Sequence, residues 1–323
     1  MIDQLLRFTP ILKQKIWGGE KLNQLLHKNF EGDNIGESWE ISDVDGDESI
    51  ISNGALQGKT LRALLKEYQY HLVGNHVYET FGNEFPLLIK FIDAKEVLSI
   101  QVHPDDALAD AQESFGKTEM WYVVQADEGS NIIIGFKNDS DTKEYLHHLK
   151  EKTLVDILNV DEVSEGDVYF VPPGRVHAIG AGVVIAEIQQ TSDLTYRIYD
   201  WDRKDIDGNY RELHTEKALK AIDFSSQISY KTPYSKKENI TNEVVTCPYF
   251  TTNMLPIEGE VQIDNSTKDS FVIYMCVKGE VIFRYKNQEE KVKMGETILV
   301  PACITDFEIS SSSQSELLET YIK

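Results

Sequence analysis

Four side chains with nitrogen or oxygen ligand atoms stand out by their type and spacing. Gln101 and His103 lie two residues apart at the end of a predicted strand, in "VLSIQVHP", so strand alternation puts both on one face. Glu119 opens the predicted strand "EMWYVV", and His177 follows the turn "PPGR". Two imidazoles, a carboxylate and an amide oxygen suit Zn²⁺, with Mn²⁺, Fe²⁺ or Co²⁺ as alternatives. We therefore predict a metal centre here, although His103 taken alone would be assigned a structural role.

Cationic residues accompany the same elements. Lys90 interrupts the apolar strand "LLIKFID", Lys117 lies two residues before Glu119, and Arg197 follows "QQTSDLTY". A lysine inside an apolar strand is costly unless it lines a wet cavity or is paired. The formal net charge of the chain is −22, so an anionic substrate would need locally concentrated cations. Each residue taken singly could also be a solvated or ion-paired surface residue.

An internal repeat links the middle of the chain to its last third. "EGDVYFVPPGRVHAIG" aligns with "MGETILVPACITDFEI", which places Gly166 on Gly295 and puts a Val-Pro end in both copies. Upstream, "EMWYVVQADEGSNIII" aligns with "DSFVIYMCVKGEVIF". Each copy reads as a strand, a glycine turn, a strand, and a glycine-acid turn before another strand. The pattern predicts two β units of one design, each a small closed or rolled barrel whose mouth can hold a ligand or metal.

The second copy of the repeat serves as a control for the metal prediction. Asp269 and Asp306 stand where the first copy has Glu119 and His177, and no Gln-x-His triplet follows a strand there. A packing requirement shared by both copies would favour similar residues in both. The difference favours a metal site in the first unit alone.

Composition excludes several classes of protein. The strongly negative charge disfavours binding to nucleic acid or to an anionic membrane. The apolar runs are too short to span a membrane. The three widely spaced cysteines, Cys247, Cys276 and Cys303, do not form a disulfide or zinc motif, so a reducing cytoplasm is the expected location. The stretch from Lys59 to Phe81 has helical periodicity and predicts one helix.

Four motifs occur in the order in which a known family carries them. They are "KFIDAKEVLSIQVHPDD", "GKTEMWYVV", "VPPGRVHAIG" and "QQTSDLTYRIYDWDR". Together with "ILKQKIWGGEKL" and "GESWEIS" near the N-terminus, they resemble the type I mannose-6-phosphate isomerases in their short bacterial form. The resemblance covers nearly the whole chain. It implies a mainly β fold with added helices, built from two cupin-type β-barrel (jelly-roll) units in tandem.

The resemblance also assigns domains and site residues. Residues 1–238 would form a catalytic cupin domain with helical insertions, and residues 239–323 a degenerate cupin-like β domain without metal residues. The family's zinc ligands, one ion per chain, fall on Gln101, His103, Glu119 and His177. Its active-site arginine falls on Arg197, and its lysine before the metal-binding glutamate falls on Lys117. The acid before the arginine falls on Asp193, and a lysine that lines the pocket falls on Lys90.

The reaction implied by the resemblance interconverts mannose 6-phosphate and fructose 6-phosphate. A proton moves between C2 and C1 through a cis-enediol, with Lys117 or Asp193 as the candidate proton carrier. Arg197, with Lys90 as the second candidate, would bind the phosphate or the enediolate. An alternative is a non-catalytic cupin that binds sugar phosphates, and a cupin oxygenase is disfavoured because only two histidines are available. The oligomeric state is open, with a monomer favoured.

Overall fold

The computed structural model describes residues 2–30, 32–111, 114–205 and 207–323, with the side chain of residue 110 left out. Strands dominate, which confirms the prediction of a mainly β chain with added helices. The strands are β1 Phe8–Thr9, β2 Ile11–Gly19, β3 Ile35–Ile41, β4 Asp43–Val44, β5 Asp47–Glu48, β6 Ile50–Ile51, β7 Leu87–Ala94, β8 Ile100–Val102, β9 Glu119–Ala126, β10 Asn131–Phe136, β11 Leu158–Glu162, β12 Val168–Val171, β13 His177–Ile179, β14 Val183–Gln190, β15 Tyr196–Tyr199, β16 Asn242–Thr246, β17 Thr251–Asp264, β18 Val272–Lys278, β19 Glu280–Tyr285, β20 Gln288–Lys293, β21 Thr297–Val300 and β22 Asp306–Tyr321. The helices are α1 Lys21–Gln24, α2 Leu61–Tyr68, α3 Tyr70–Val73, α4 Asn75–Phe81, α5 Asp106–Asp110, α6 Thr142–Lys150 and α7 Thr215–Ala221, with 3₁₀ turns at Gly54–Leu56 and Leu154–Asp156.

Two antiparallel sheets build the first part of the molecule. One has six strands in the order β12-β9-β14-β7-β3-β2, and the other has five in the order β11-β10-β13-β8-β15. Apolar side chains from both sheets, among them Trp121, Ile185, Ile132 and Ile179, form one buried cluster between them. The sheets therefore pack face to face, and the polar site occupies part of the same interior.

Strands in the middle of the six-stranded sheet are buried on both faces. Along β14, Val183 and Ile185 belong to the cluster between the sheets, whereas Val184 and Ile188 belong to a second cluster on the back of the sheet. That second cluster continues into the C-terminal part of the chain through residues such as Phe271. Alternation of side chains then explains why "VVIAEIQQ" is buried at every position.

The C-terminal part forms a seven-stranded sheet that runs β16-β17-β22-β18-β21, with β19 and β20 attached beside β22. Its own core contains Tyr274, Phe283 and Phe307. Within the described residues the strand pairing does not close any of these sheets into a barrel. Tandem barrel units therefore stay a prediction.

The turns of the internal repeat have matching backbone conformations. Gly166 has φ of 89° and its counterpart Gly295 has φ of 87°, a region that side chains with a Cβ atom rarely adopt. In both copies the turn leads into a short buried strand, β12 or β21, that ends at Val-Pro. The turn chemistry of the repeat was readable from the glycines alone.

The single helix expected between Lys59 and Phe81 is three short helices, α2, α3 and α4. Gln69 and Gly74 interrupt it, with positive φ values of 49° and 93°. At Gly74 an added Cβ would lie 2.1 Å from the carbonyl oxygen of Asp269, so the chain turns where it meets the C-terminal sheet. The prediction of helical structure in this stretch is therefore confirmed, but the prediction of one continuous helix is wrong, because a tertiary contact divides it.

No helix in the described part of the chain has both the length and the apolar character needed to cross a membrane. The thiols of Cys247, Cys276 and Cys303 are all free.

Candidate metal centre and cavity

Strand pairing in the five-stranded sheet aligns three of the predicted site residues. His177 on β13 pairs directly with Gln101 on β8, and Gln101 pairs with Arg197 on β15. Directly opposed residues of antiparallel strands point to the same face of a sheet. His177, Gln101 and Arg197 therefore form a row across three strands on the face that looks toward the six-stranded sheet.

Glu119 enters from the opposite sheet and completes a cluster with the two histidines. The Nε2 atom of His103 lies 3.6 Å from Oε2 of Glu119, and the Nε2 atom of His177 lies 3.6 Å from Oε1. All three side chains are at most 1% exposed. Ligands about 2.1 Å from a tetrahedral ion lie roughly 3.4 Å from one another, so these spacings fit a common metal ion.

Hydrogen bonds fix which nitrogen of each histidine faces the cluster. Nδ1 of His103 is 3.0 Å from the carbonyl oxygen of Leu194, and Nδ1 of His177 is 2.8 Å from that of Arg175. A carbonyl oxygen can only accept, so each Nδ1 carries the proton and each Nε2 keeps its lone pair.

The ligand atoms of this cluster lack hydrogen bonds. Both Nε2 atoms and both oxygens of Glu119 are buried, and none has a hydrogen-bond partner among the described residues. Buried polar atoms of this kind are costly unless a further group binds them. The donor set therefore fits a metal ion, and Gln101, half-buried next to His177, can add an amide oxygen.

Burial controls the charge of these groups. Burial lowers the pKa of His177 to about 4 and that of His103 well below its usual value, with the Lys117 charge adding to both. Burial and the neighbouring Glu187 carboxylate raise the pKa of Glu119 to about 8. Both imidazoles are thus neutral near pH 7, the form that binds metal ions.

Lys90 belongs to a row of paired residues across the six-stranded sheet. Trp39 on β3 pairs with Lys90 on β7, which pairs with Glu187 on β14. The Lys90 ammonium lies 3.1 Å from Glu187 and donates to the Gln189 amide oxygen at 2.7 Å. Burial lowers the pKa of Lys90, but the carboxylates of Glu187 and Glu37 outweigh burial and raise it overall. Lys90 therefore stays charged inside the molecule.

Lys117 is the other buried cation near the cluster. Its ammonium lies 3.8 Å from Oε2 of Glu119. Lys117 precedes β9, which begins at Glu119, so strand alternation alone does not account for this contact. Burial, followed by repulsion from Lys90, lowers its pKa. Asp193, by contrast, is exposed at the rim of the cavity.

A cavity of about 220 Å³ opens over these residues. Its described lining includes every predicted catalytic and substrate-binding residue together with Gln101, whereas His103, Glu119 and His177 lie behind it. The lining residues are Lys15, Trp17, Glu37, Trp39, Lys90, Ile92, Leu98, Ser99, Gln101, Lys117, Ile179, Glu187, Asp193, Thr195, Arg197 and Arg211. Five cationic side chains face three carboxylates there, which gives this cavity a positive excess in a chain of charge −22.

Sequence reasoning missed several of these lining residues. Glu37 is one of them: its carboxylate lies 3.1 Å from Lys15 and accepts a hydrogen bond from Trp39 at 2.7 Å. Although burial opposes ionisation, Lys90 and Lys15 lower the pKa of Glu37 to about 2. Alternation in "GESWEIS" was the available signal, because it puts Glu37 and Trp39 on one face. Arg211 had no such signal, since it lies outside any strand.

Comparison with known proteins gives a consistent picture. The model of the phosphomannose isomerase type I catalytic domain matches residues 5–138, and that of the mannose-6-phosphate isomerase cupin domain matches residues 239–321. The chain is 33% identical to mannose-6-phosphate isomerase ManA of Bacillus subtilis, over 97% of this chain and 98% of that protein. It is 34% identical to the mannose-6-phosphate isomerase of Streptococcus mutans, over 94% and 96% of the two chains.

A solved structure extends the likeness to three dimensions. The crystal structure of the mannose 6-phosphate isomerase from Bacillus subtilis superimposes with a TM-score of 0.89 at 33% identity, covering 98% of this chain and 99% of that one. The match to a cupin domain confirms the cupin part of the fold prediction.

Proposed function

This chain belongs to the family of type I mannose-6-phosphate isomerases, and from that premise we propose that it interconverts mannose 6-phosphate and fructose 6-phosphate. The observation that carries the proposal is the junction of two features. The buried side chains of His103, Glu119 and His177 bring their ligand atoms together, and a cation-rich cavity opens directly beside them. An aldose–ketose isomerase needs both a centre that stabilises an oxyanion and a place for an anionic sugar.

We propose Zn²⁺ as the cofactor, one ion per chain, bound by Gln101, His103, Glu119 and His177. Mixed imidazole and carboxylate ligands with a remaining open position are typical of catalytic zinc. When bound, the ion would act as a Lewis acid toward the oxygens at C1 and C2 of the open-chain sugar. The protein's own contribution is to hold two neutral imidazoles with their Nε2 atoms turned inward.

We propose Lys117 as the group that carries the proton between C2 and C1. A carrier takes the proton from C2 and returns it to C1, so it must be able to lose and regain a proton close to the reacting carbons. Lys117 is buried beside Glu119, and its pKa is lowered by that burial. Asp193, the other candidate, is exposed at the rim of the cavity rather than buried beside Glu119.

The remaining cations have separate roles in this proposal. Arg197 binds the phosphate or the enediolate, and its buried Nε has no partner within the described part of the chain. Lys90 is already engaged by Glu187 and Gln189, so it contributes mainly positive potential and order to the cavity wall.

The test is an isomerase assay with metal exchange. The purified protein should convert mannose 6-phosphate into fructose 6-phosphate, lose activity with a strong chelator and regain it with Zn²⁺. Full activity after exhaustive metal removal would contradict the metal mechanism. Substrate binding without turnover, with zinc present, would instead favour a non-catalytic sugar-phosphate-binding cupin.

We also propose that the chain is a cytoplasmic monomer of two cupin-type barrel units divided near residue 238. The internal repeat and the separate core around Tyr274 and Phe283 support the division. Limited proteolysis should cut first near residue 238, and light scattering should give the mass of one chain. Cleavage confined to other sites, or a dimer mass, would contradict these two points.

A further inference from the structure

A cluster of arginines lies at one end of the cavity, around a single buried carboxylate. Asp200, 5% exposed, accepts hydrogen bonds from Nε of Arg211 at 2.7 Å and from Nη2 of Arg203 at 2.8 Å. Arg211 makes a second contact to it through Nη2. The bidentate contact fixes the plane of the Arg211 guanidinium.

Arg197 is the third arginine of this cluster, and its bonds leave it unsatisfied. Its Nη1 donates to the carbonyl oxygen of Glu212 at 3.0 Å, whereas its buried Nε has no acceptor in the ranges that the structure describes. Burial, followed by repulsion from Arg211, lowers its pKa. The guanidinium groups of Arg197 and Arg211 thus lie close enough to repel each other, and Nε of Arg197 still lacks an acceptor. A bound anion would stabilise this arrangement.

The three lysines of the cavity each lie near a carboxylate. Lys15 lies 3.1 Å from Glu37, Lys90 lies 3.1 Å from Glu187, and Lys117 lies 3.8 Å from Glu119. Among the described residues at the arginine end, Asp200 is the buried carboxylate, whereas the Glu96 and Glu212 side chains near Arg203 and His214 are 61% and 83% exposed. Arg197, Arg203 and Arg211 thus share the Asp200 carboxylate as their buried counter-charge, and the positive excess lies at this end of the cavity.

We propose that Arg197 and Arg211 form the subsite for the phosphate group of the substrate, with Asp200 as the positioning residue that holds Arg211. This proposal rests on the function proposed above. The location suits a phosphate at the far end of a six-carbon chain: Arg197 lies two strands away from His177, which corresponds to roughly 10 Å at about 4.8 Å per strand. Because Asp200 occupies Nε and Nη2 of Arg211, the guanidinium is held in one plane and its remaining N–H groups can point at the phosphate, which a flexible ammonium does less well.

The experiment measures phosphate binding separately from turnover. Inorganic phosphate is titrated into the zinc-loaded protein by calorimetry, and KM and kcat are measured with mannose 6-phosphate. Arg211→Met should weaken inorganic phosphate binding roughly 10- to 100-fold, the loss expected for hydrogen bonds to a charged group. KM should rise by a similar factor and much more than kcat falls. Arg211→Lys should fall between the two proteins.

Lys152→Met is the matched control, because Lys152 is exposed, pairs with Asp202 and lies outside the cavity lining. It removes one positive charge and should leave phosphate affinity within about twofold. Asp200→Asn should weaken phosphate binding in a protein that retains Arg211. In a protein that already carries Arg211→Met it should have little further effect, since the two residues act through one contact.

The outcomes separate the subsite from the activity. Equal phosphate affinity in the wild type and Arg211→Met, or no phosphate binding by the wild type, overturns the subsite even in an active isomerase. Phosphate binding that depends on Arg211 in a protein without isomerase activity supports the subsite and overturns the function proposed above.

Discussion

At the scale of single residues, two backbone carbonyls decide what the buried histidines can do. Leu194 and Arg175 accept the Nδ1 protons of His103 and His177, so both rings present a lone pair to Glu119. A ring turned over would present a proton instead and could not bind a metal ion.

Replacing His177 by Gln should therefore reduce zinc affinity by roughly 100-fold or more, since even indirect partners of metal ligands are worth 10- to 100-fold. Elemental analysis after dialysis against a competing chelator measures the effect. His147→Gln is the control, because His147 is exposed on α6 and outside the cluster. Retention of a full equivalent of zinc by His177→Gln would remove this residue from the site.

The ionisation of Glu37 should make the free energy of unfolding depend on pH. Its pKa of about 2 in the folded protein lies below the unfolded value, so the stabilisation is present above about pH 4.5 and is lost as the pH falls toward 2. Glu37→Gln should be less stable than the wild type by about 3 kcal/mol at pH 7, because Lys15 loses its ion-pair partner and the buried Lys90 loses a nearby negative charge.

The free energy of unfolding, measured in urea at a series of pH values, tests this dependence. The difference between Glu37→Gln and the wild type should shrink steadily from pH 5 to pH 3. A constant difference over that range would mean that the Glu37 carboxylate is not the source.

Residue type and strand position were enough to predict that His103, Glu119 and His177 meet, because each lies at or next to the end of a strand and the second repeat copy has no histidine in the matching places. The cross-strand partners could not be predicted in this way. Trp39 faces Lys90 only because β3 pairs with β7, and Arg211 reaches Asp200 only through an irregular loop. Both placements depend on the register and on the path of the loop, which a local sequence pattern does not encode.

At the scale of elements, the glycine turns of the repeat illustrate two different demands. Gly129 has φ of 75° with open space around its Cα, whereas at Gly295 an added Cβ would lie 2.6 Å from Cβ of Leu26. The first turn needs only a permissive backbone, and the second also needs room for α1 and the chain that follows it.

Gly129→Ala should consequently cost about 1 kcal/mol of unfolding free energy, the usual penalty for a left-handed residue with a Cβ atom. Gly295→Ala should cost clearly more, because steric overlap with Leu26 adds to the same backbone penalty. Urea denaturation of both variants gives the comparison. Equal losses would show that the contact with Leu26 relaxes freely.

At the scale of the whole molecule, the six-stranded sheet has two roles. Its front face carries Lys90, Glu187 and Glu119 into the site, and its back face packs in one cluster with the C-terminal sheet. Tyr122 lies on β9, the strand that begins at Glu119, and its hydroxyl donates to Glu316 of β22 at 3.1 Å. The C-terminal sheet therefore supports the site from behind, although the candidate metal ligands all come from the first part.

This arrangement predicts that the two parts unfold together. Phe271 is fully buried at the shared cluster, with its ring 4.6 Å from that of Phe85, so Phe271→Ala should cost about 3–5 kcal/mol. Phe283→Ala, in the separate C-terminal core, should cost a similar amount and serves as the control. If the shared cluster couples the two parts, calorimetry of the wild type should give one transition, and Phe271→Ala should lower or split it, whereas Phe283→Ala should destabilise the C-terminal part first. Two independent transitions in the wild type would show that the sheet behind the site folds without its C-terminal support.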